Sequence, residues 1–152
     1  TVSALSAQNI GAGKYDRAKQ TLRYAMMIAI GFGLVVSILI QFIAAPVVGL
    51  FTADAAVILL GAQYIRGYIW DCIFAGVHFS FSGYFCACGK SGISFLHNLI
   101  AILCVRIPGV YLTSKIFPHT LFPMGLATAT GSLLSVIICI IAYRWLCEKS
   151  GK

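Results

Sequence analysis

The sequence is short of charge, and of acidic residues above all. Asp, Glu, Lys and Arg together make up 10% of its 152 residues, and four of them are acidic. Soluble domains carry about 25% charged residues, so this deficit excludes a domain surrounded by water. A disordered tail is excluded as well, because disorder needs low hydrophobicity and high charge. The basic residues stand at the ends of apolar runs and form no stripe along one face, which excludes a nucleic-acid-binding surface.

The sequence also lacks the motifs of enzymes and of metal centres. It contains no HExxH, GxSxG or GxGxxG pattern. Five residues separate Gly83 from Gly89-Lys90-Ser91, whereas a phosphate-binding loop needs four. The six cysteines lie within or at the ends of apolar segments, and Cys86-Ala87-Cys88 does not match the CxxC pairs of zinc sites. We therefore expect unreactive buried thiols, and we predict no enzymatic activity, no bound metal and no organic cofactor.

Long apolar runs are what the sequence does contain. Hydrophobic residues make up 60% of the chain, and the mean hydropathy is +0.93. A helix needs about 20 residues to cross a bilayer, and runs of that length cover approximately residues 24–45, 58–86, 92–114 and 122–146. Strands of a membrane barrel would show segments of about ten residues with strict alternation, and none occur. The sequence predicts an all-α integral membrane protein with four complete transmembrane helices, preceded in residues 1–7 by the end of another helix.

The basic residues are distributed unevenly between the two sides of the predicted bundle. Lys and Arg near the ends of spans are retained in the cytoplasm. On one side of the predicted bundle, Lys115 is the single basic residue near the end of a span. The opposite side has eight: Lys14, Arg17, Lys19, Arg23, Lys90, Arg144, Lys149 and Lys152. We therefore predict that the loop of residues 11–23, the Gly89 turn and the C-terminus are cytoplasmic.

Asp71 is the one acidic residue inside a predicted span. An ionised carboxylate in hydrocarbon is costly unless it is paired, hydrated or protonated. Asp71 and Arg106 lie at nearly equal sequence distances from the turn at Gly89, so a helical hairpin would place them at the same depth. We predict that they interact, and two roles stay open: a structural ion pair, or a site that binds the coupling ion.

Other polar or small residues share the helical face of Asp71. At 100° per residue, five positions fall within about 40° of it. They are Tyr64, Gly67, Ala75, His78 and Ser82. Such a stripe should face the bundle interior or a watery cavity rather than lipid. His78 and His97 are either packing residues or parts of a proton relay.

Pro108 should disturb the third predicted span. Proline cannot donate the backbone hydrogen bond that would reach Cys104, so we predict a kink there. The kink has two interpretations, a packing feature or a transporter hinge.

The segment around Gln8, Asn9, Gly11 and Ala12, which reads SAQNIGAGKYDRA over residues 6–18, resembles the signature loop of the multidrug and toxic compound extrusion (MATE) family. In that family a Gln-x-x-Gly-Ala pattern ends a helix in each of two six-helix lobes, and a short basic segment follows. The Gln8 and Asn9 amides can cap the last carbonyls of a helix, and Gly11 and Gly13 permit left-handed conformations. The pattern therefore predicts a helix end at this loop.

The resemblance extends over residues 1–152 and implies a partial second, C-terminal lobe of a twelve-helix transporter, without its seventh helix. On that alignment the chain holds the end of the eighth helix and all of the ninth to twelfth, and the N-terminal lobe of the same protein is the missing partner. The resemblance further implies a plasma-membrane antiporter that expels small amphipathic or cationic substrates in exchange for Na⁺ or H⁺ by alternating access. Membrane lipids would surround it.

Two other functions compete with the antiporter. A flippase for lipid-linked oligosaccharides or polysaccharides, from the same superfamily, would be expected to line its cavity with more cationic residues than this sequence offers. A non-transporting membrane interaction subunit should show no intramembrane acid, and Asp71 argues against it.

Overall fold

The computed structural model describes residues 1–150, with side chains described as far as residue 148. Over that range the chain forms helices joined by short turns and contains no β-strand. The elements are α1 (Val2–Gly11), α2 (Tyr15–Gly49), α3 (Ala55–Tyr68), α4 (Asp71–Ala87), α5 (Ser91–Ala101), a π-helical segment (Ile102–Arg106), α6 (Ile107–Ile116) and α7 (Phe122–Ser150). The predicted all-α membrane fold class is confirmed.

The helix α2 is longer at both ends than predicted. Residues 15–23 were predicted as part of a loop, but they form the first turns of α2, because Ala18 and Leu22 lie one turn apart and are buried in the core. Charged residues end the apolar part of a helix without ending the helix itself. At the other end α2 continues through Pro46 to Gly49, where the sequence had predicted a loop from residue 45.

The second predicted span, residues 58–86, is divided between α3 and α4. The two helices have 14 and 17 residues, and they meet at Ile69 and Trp70. The amide of Cys72 bonds to the carbonyl of Ile69 and that of Ile73 to Trp70, which is the tighter i to i+3 pattern. The sequence predicted four helices that each cross the membrane. In the described part of the chain, three single helices are long and apolar enough to do so: α2, Ser91–Ile116 and Phe122–Glu148.

Side chains of α2 stabilise the break between α3 and α4. An unbroken helix would bond the carbonyl of Arg66 to the amide of Trp70, but here it accepts a hydrogen bond from Nε2 of Gln41 at 3.1 Å. The carbonyl of Ile69 accepts one from Oγ of Ser37 at 3.3 Å. Ser37 and Gln41 are four residues apart, so they share one face of α2. The break is therefore supported by a neighbouring helix.

The π-helical segment lies next to Pro108. The amide of Ile107 bonds to the carbonyl of Ile102, five residues earlier. Pro108 has no amide hydrogen to offer Cys104, so the regular ladder is interrupted at this point and the helix widens by one residue. The sequence predicted a disturbance here, and its form is a π-helical turn. Whether the axis bends enough to act as a hinge stays a prediction.

The helix α4 occupies the centre of the bundle and packs against α1, α2, α5 and α7. The hydrophobic core lies toward the Gly89 end of α4. Its buried members are Ala18, Leu22, Phe81, Tyr84, Phe85 and Cys139. All six cysteines are free, but Cys139 alone is buried among them, so the expectation of six buried thiols was wrong. Cys72, Cys86 and Cys104 are exposed on the outside of the bundle, whereas Cys88 and Cys147 are half-buried.

Candidate functional site

Asp71 and Arg106 are in direct contact inside the bundle. Nη2 of Arg106 lies 3.0 Å from Oδ2 and 3.2 Å from Oδ1 of Asp71. The same nitrogen lies 2.9 Å from Oγ of Ser132 on α7. The side chain of Asp71 is 5% exposed and that of Arg106 is 33% exposed. The carboxylate is thus enclosed by protein, whereas the guanidinium retains access to its surroundings.

Local backbone structure places both charges. Asp71 is the first residue of α4, where the helix dipole favours a negative charge. Arg106 is the last residue of the π-helical segment. A Cβ atom added at Gly131 would lie 3.0 Å from Cγ of Arg106, so the absence of a side chain on α7 leaves room for the arginine stem. The break, the π turn and a glycine together bring the pair into contact.

Ser132 is a site residue that the sequence analysis did not assign. It belongs to a run of small residues on α7 that includes Ala129, Gly131 and Ser135, a composition typical of helix-packing faces in membranes. A serine among small residues gives no signal of its own, because its role depends on which helix faces it. Its burial beside Arg106 identifies it here.

The predicted stripe divides at the break into two groups with different surroundings. Tyr64 stacks on Tyr68 with ring centroids 5.7 Å apart. Gly67 packs against the backbone of α7, where an added Cβ would lie 2.5 Å from the carbonyl oxygen of Phe122. Gly67 is therefore a buried residue at a helix crossing in the bundle interior, one of the two environments that the sequence predicted. One helical projection cannot hold across a break between helices.

The members of the stripe on α4 face α5. His78 is buried, and its ring lies 5.6 Å from that of His97 between centroids, in an edge-to-face arrangement. The hydroxyl of Ser82 is hydrogen-bonded to that of Ser94. Ala75 is half-buried between the levels of Asp71 and His78. His78 thus lies in the bundle interior, one of the two environments that the sequence predicted, and Ala75 and Ser82 are partly buried.

Comparison with known proteins identifies the family. A family model described as MatE matches residues 1–112, which include Asp71, Arg106 and the loop after α1. The chain belongs to the MATE transporter family. No curated protein and no solved structure matches it. The predicted MATE resemblance is thereby confirmed, and the chain is a membrane protein of a transporter family.

The MATE signature forms a compact turn at the end of α1. The amide of Lys14 bonds to the carbonyl of Asn9, and that of Gly13 bonds to Ile10. Gly13 adopts a φ of 71°, so this is a Schellman motif with Gly13 as the left-handed residue. Gly11 is helical and has no positive φ, which corrects the prediction for that residue, and Ala12 follows it as the helix cap.

The amide side chains of the signature do not cap the last carbonyls of α1. Nδ2 of Asn9 donates to the carbonyl of Leu5 at 2.8 Å, which lies within the helix. Gln8 is exposed. The backbone bonds of the Schellman motif already satisfy the terminal carbonyls, so the predicted side-chain capping was unnecessary and was wrong for Asn9.

Two clefts of the MATE bundle lie at the end that carries the Gly13 and Gly89 turns. The larger, of about 960 Å³, has basic side chains and an apolar floor. Its basic residues are Arg17, Lys19 and Arg23, and its floor includes Leu22, Met26 and Phe81. The smaller, of about 580 Å³, contacts residues of α1, α2, α4 and α7 together with Lys90. The predicted stripe lines neither of these two clefts.

Proposed function

We propose that this chain forms part of one lobe of an antiporter that exports small amphipathic or cationic substrates in exchange for H⁺ or Na⁺. The observation that carries the proposal is the enclosed contact between Asp71 and Arg106 in a chain of the MATE family. Ionisable side chains within membrane bundles mark ion and substrate pathways. The other, N-terminal lobe, needed for alternating access, would come from the same protein.

Competition for Asp71 provides the coupling. A proton or a sodium ion that binds the carboxylate takes the place of the Arg106 nitrogen, which lies 3.0 Å from Oδ2. Ser132 remains at 2.9 Å from that nitrogen, so the released guanidinium keeps a hydrogen-bond partner. Because Arg106 is one third exposed, it can move without first leaving a sealed environment. Ion binding thus changes how α4, the π-helical segment and α7 contact one another. One set of contacts includes the Asp71–Arg106 pair and the other does not, which gives the two states that a transporter requires.

The geometry also supports the predicted orientation. The smaller cleft brings Ile10 and Tyr15 together with Cys88, Lys90 and Cys147. The turn after α1, the turn after α4 and the last part of α7 therefore meet at one end of the bundle. These are the segments rich in Lys and Arg, so we propose that this end is cytoplasmic in a plasma-membrane protein.

Transport by the full-length protein with Asp71→Asn tests the proposal. Efflux of ethidium, a fluorescent organic cation, is measured in lipid vesicles with an imposed H⁺ or Na⁺ gradient. We expect Asp71→Asn to abolish gradient-driven efflux while equilibrium binding of ethidium changes less than about threefold. Asp54→Asn is the matched control, because Asp54 caps α3 through the amide of Ala56 at 2.8 Å and asparagine caps equally well.

A structural role for the pair gives a different result. If Asp71 only compensates the charge of Arg106, the folded fraction of Asp71→Asn should retain gradient-driven efflux at the rate of the parent protein. That result would contradict the proposed coupling.

A further inference from the structure

Three pairs of polar side chains connect α4 with α5 and the π-helical segment. The pairs are Asp71 with Arg106, His78 with His97, and Ser82 with Ser94. In each pair the two residues stand at similar sequence distances from the Gly89 turn, so the pairs follow one another in depth toward that turn. We call this arrangement the polar ladder. It spans about 16 Å, from the rise of 1.5 Å per helical residue over residues 71–82.

The histidine pair in the polar ladder has ring nitrogens without partners. His78 is 3% exposed and His97 is 1% exposed. Nδ1 of His78 and both ring nitrogens of His97 are buried and have no hydrogen-bond partner in the described structure. Buried polar atoms are normally satisfied, and each exception calls for an explanation. Ser135 contacts only the backbone carbonyl of His97, at 3.4 Å, so it leaves the ring free.

A proton is the ligand that fits two facing imidazoles. A neutral imidazole has one acceptor nitrogen, and a proton bound to one ring can be shared with the other directly or through a water molecule. A second proton is opposed by the charge of the first at this separation. Hard cations prefer oxygen ligands, and no group of three or more His, Cys, Asp or Glu residues that could hold a metal occurs among the described residues.

The structure leads us to propose that His78 and His97 form a one-proton site coupled to the Asp71–Arg106 pair, reached from the Gly89 end through Ser82 and Ser94. The inference rests on the proposed antiport function and specifies H⁺ as its coupling ion. In loading, a proton from the Gly89 end forms an O–H bond on the first serine while that serine's own proton passes to the second hydroxyl. The second hydroxyl in turn gives its original proton to an imidazole nitrogen, where an N–H bond forms. One proton enters, one is bound, and release is the reverse.

Charge couples this site to the ion pair. The groups that act electrostatically on His78 are His97 from α5, Asp71 on its own helix and Arg106 from the π-helical segment. Of the helices packed on α4, α1 has no titratable side chain. While Arg106 neutralises Asp71, the pair exerts little net field. When Arg106 has left Asp71 and no ion has yet replaced it, the bare carboxylate favours a proton on the histidines, so the proton site responds to the state of the ion pair.

Transport by variants of the full-length protein tests the site. We expect His78→Gln and His97→Gln each to reduce efflux of ethidium driven by a pH gradient at least tenfold. Equilibrium binding of ethidium should stay within about twofold, which shows that the variants fold. His119→Gln, in the loop between α6 and α7, is the matched control and should behave as the parent. Efflux of the two variants at the parent rate, or efflux driven by Na⁺ alone, would overturn the inference.

The same set separates this inference from the proposed function. If Asp71→Asn retains gradient-driven efflux, the proposed function fails. If Asp71→Asn abolishes efflux while both histidine variants retain it, the proposed function stands and the one-proton site fails.

A spectroscopic measurement covers the case in which a histidine variant does not fold. Nitrogen-15 NMR of histidine-labelled protein carrying His119→Gln reports protonation of His78 and His97 directly. We expect uptake of one proton by the pair, with a proton affinity that falls about tenfold in Asp71→Asn and rises in Arg106→Met. If the proton affinity of the pair shifts in the same direction in both variants, or if each ring takes up a proton independently, the coupling is refuted.

Discussion

Replacing Arg106 by methionine measures how strongly the bundle depends on compensating the charge of Asp71. Both carboxylate oxygens lie within 3.2 Å of one arginine nitrogen, and the aspartate is 5% exposed. Removing one partner of a buried pair costs about 3–5 kcal/mol, because the other charge is left behind. We therefore expect Arg106→Met to lower the free energy of unfolding by about 3–5 kcal/mol.

The reverse replacement should cost less. Asp71→Asn leaves a guanidinium that is 33% exposed and still bonded to Ser132. Because the guanidinium keeps Ser132 as a hydrogen-bond partner, we expect a loss of about 1–2 kcal/mol. The double variant removes both charges and should cost about 2 kcal/mol less than the sum of the single variants.

The assay is reversible denaturation of the full-length protein in detergent micelles, with the free energy of unfolding determined for all four proteins. Asp54→Asn with Lys115→Met supplies a control cycle of two charges without a mutual contact, and it should be additive. If the Asp71 and Arg106 effects also add to within about 0.5 kcal/mol, the reasoning about mutual compensation is refuted.

Three further outcomes follow from the fold. Gly67→Ala should destabilise the bundle by about 1–3 kcal/mol, because its Cβ would meet a carbonyl oxygen of α7 at 2.5 Å, while Gly92→Ala, which has open space, should be neutral in the same denaturation assay. Gly13→Ala should cost about 1–2 kcal/mol because of its φ of 71°, and the helical Gly11→Ala should not; equal losses would contradict the assigned turn. A cysteine introduced at Thr52 should react with an impermeant thiol reagent from outside the cell, and labelling from the cytoplasm alone would invert the proposed orientation.

The depth of the ion pair was predictable from sequence, because a helical hairpin about Gly89 fixes which residues stand level. The position of the π turn was partly predictable, since Pro108 removes a known hydrogen bond. The break at Ile69 and Trp70 was not predictable, because neither residue is a helix breaker and the supporting side chains belong to α2.

The start of α2 was missed for a different physical reason. The sequence analysis used charge to end the apolar span, and it treated the end of the span as the end of the helix. Ala18 and Leu22 show the distinction, since they continue the buried face through the basic turns. The Ser132 contact could not be found from one sequence, because it depends on the rotation of α7 against the π-helical segment.

The division of α3 from α4 affects how the chain is made. Helices of 14 and 17 residues are each short for a bilayer crossing, so they enter the membrane as one unit. Asp71 is synthesised well before Arg106, and for that interval the carboxylate has no arginine beside it. Gln41 and Ser37 precede the break in the chain, so the partners of its two carbonyls have already been made when the break is synthesised. The hydrogen-bond partners of the break are therefore synthesised before it, whereas Arg106, which compensates the charge of Asp71, is synthesised after it.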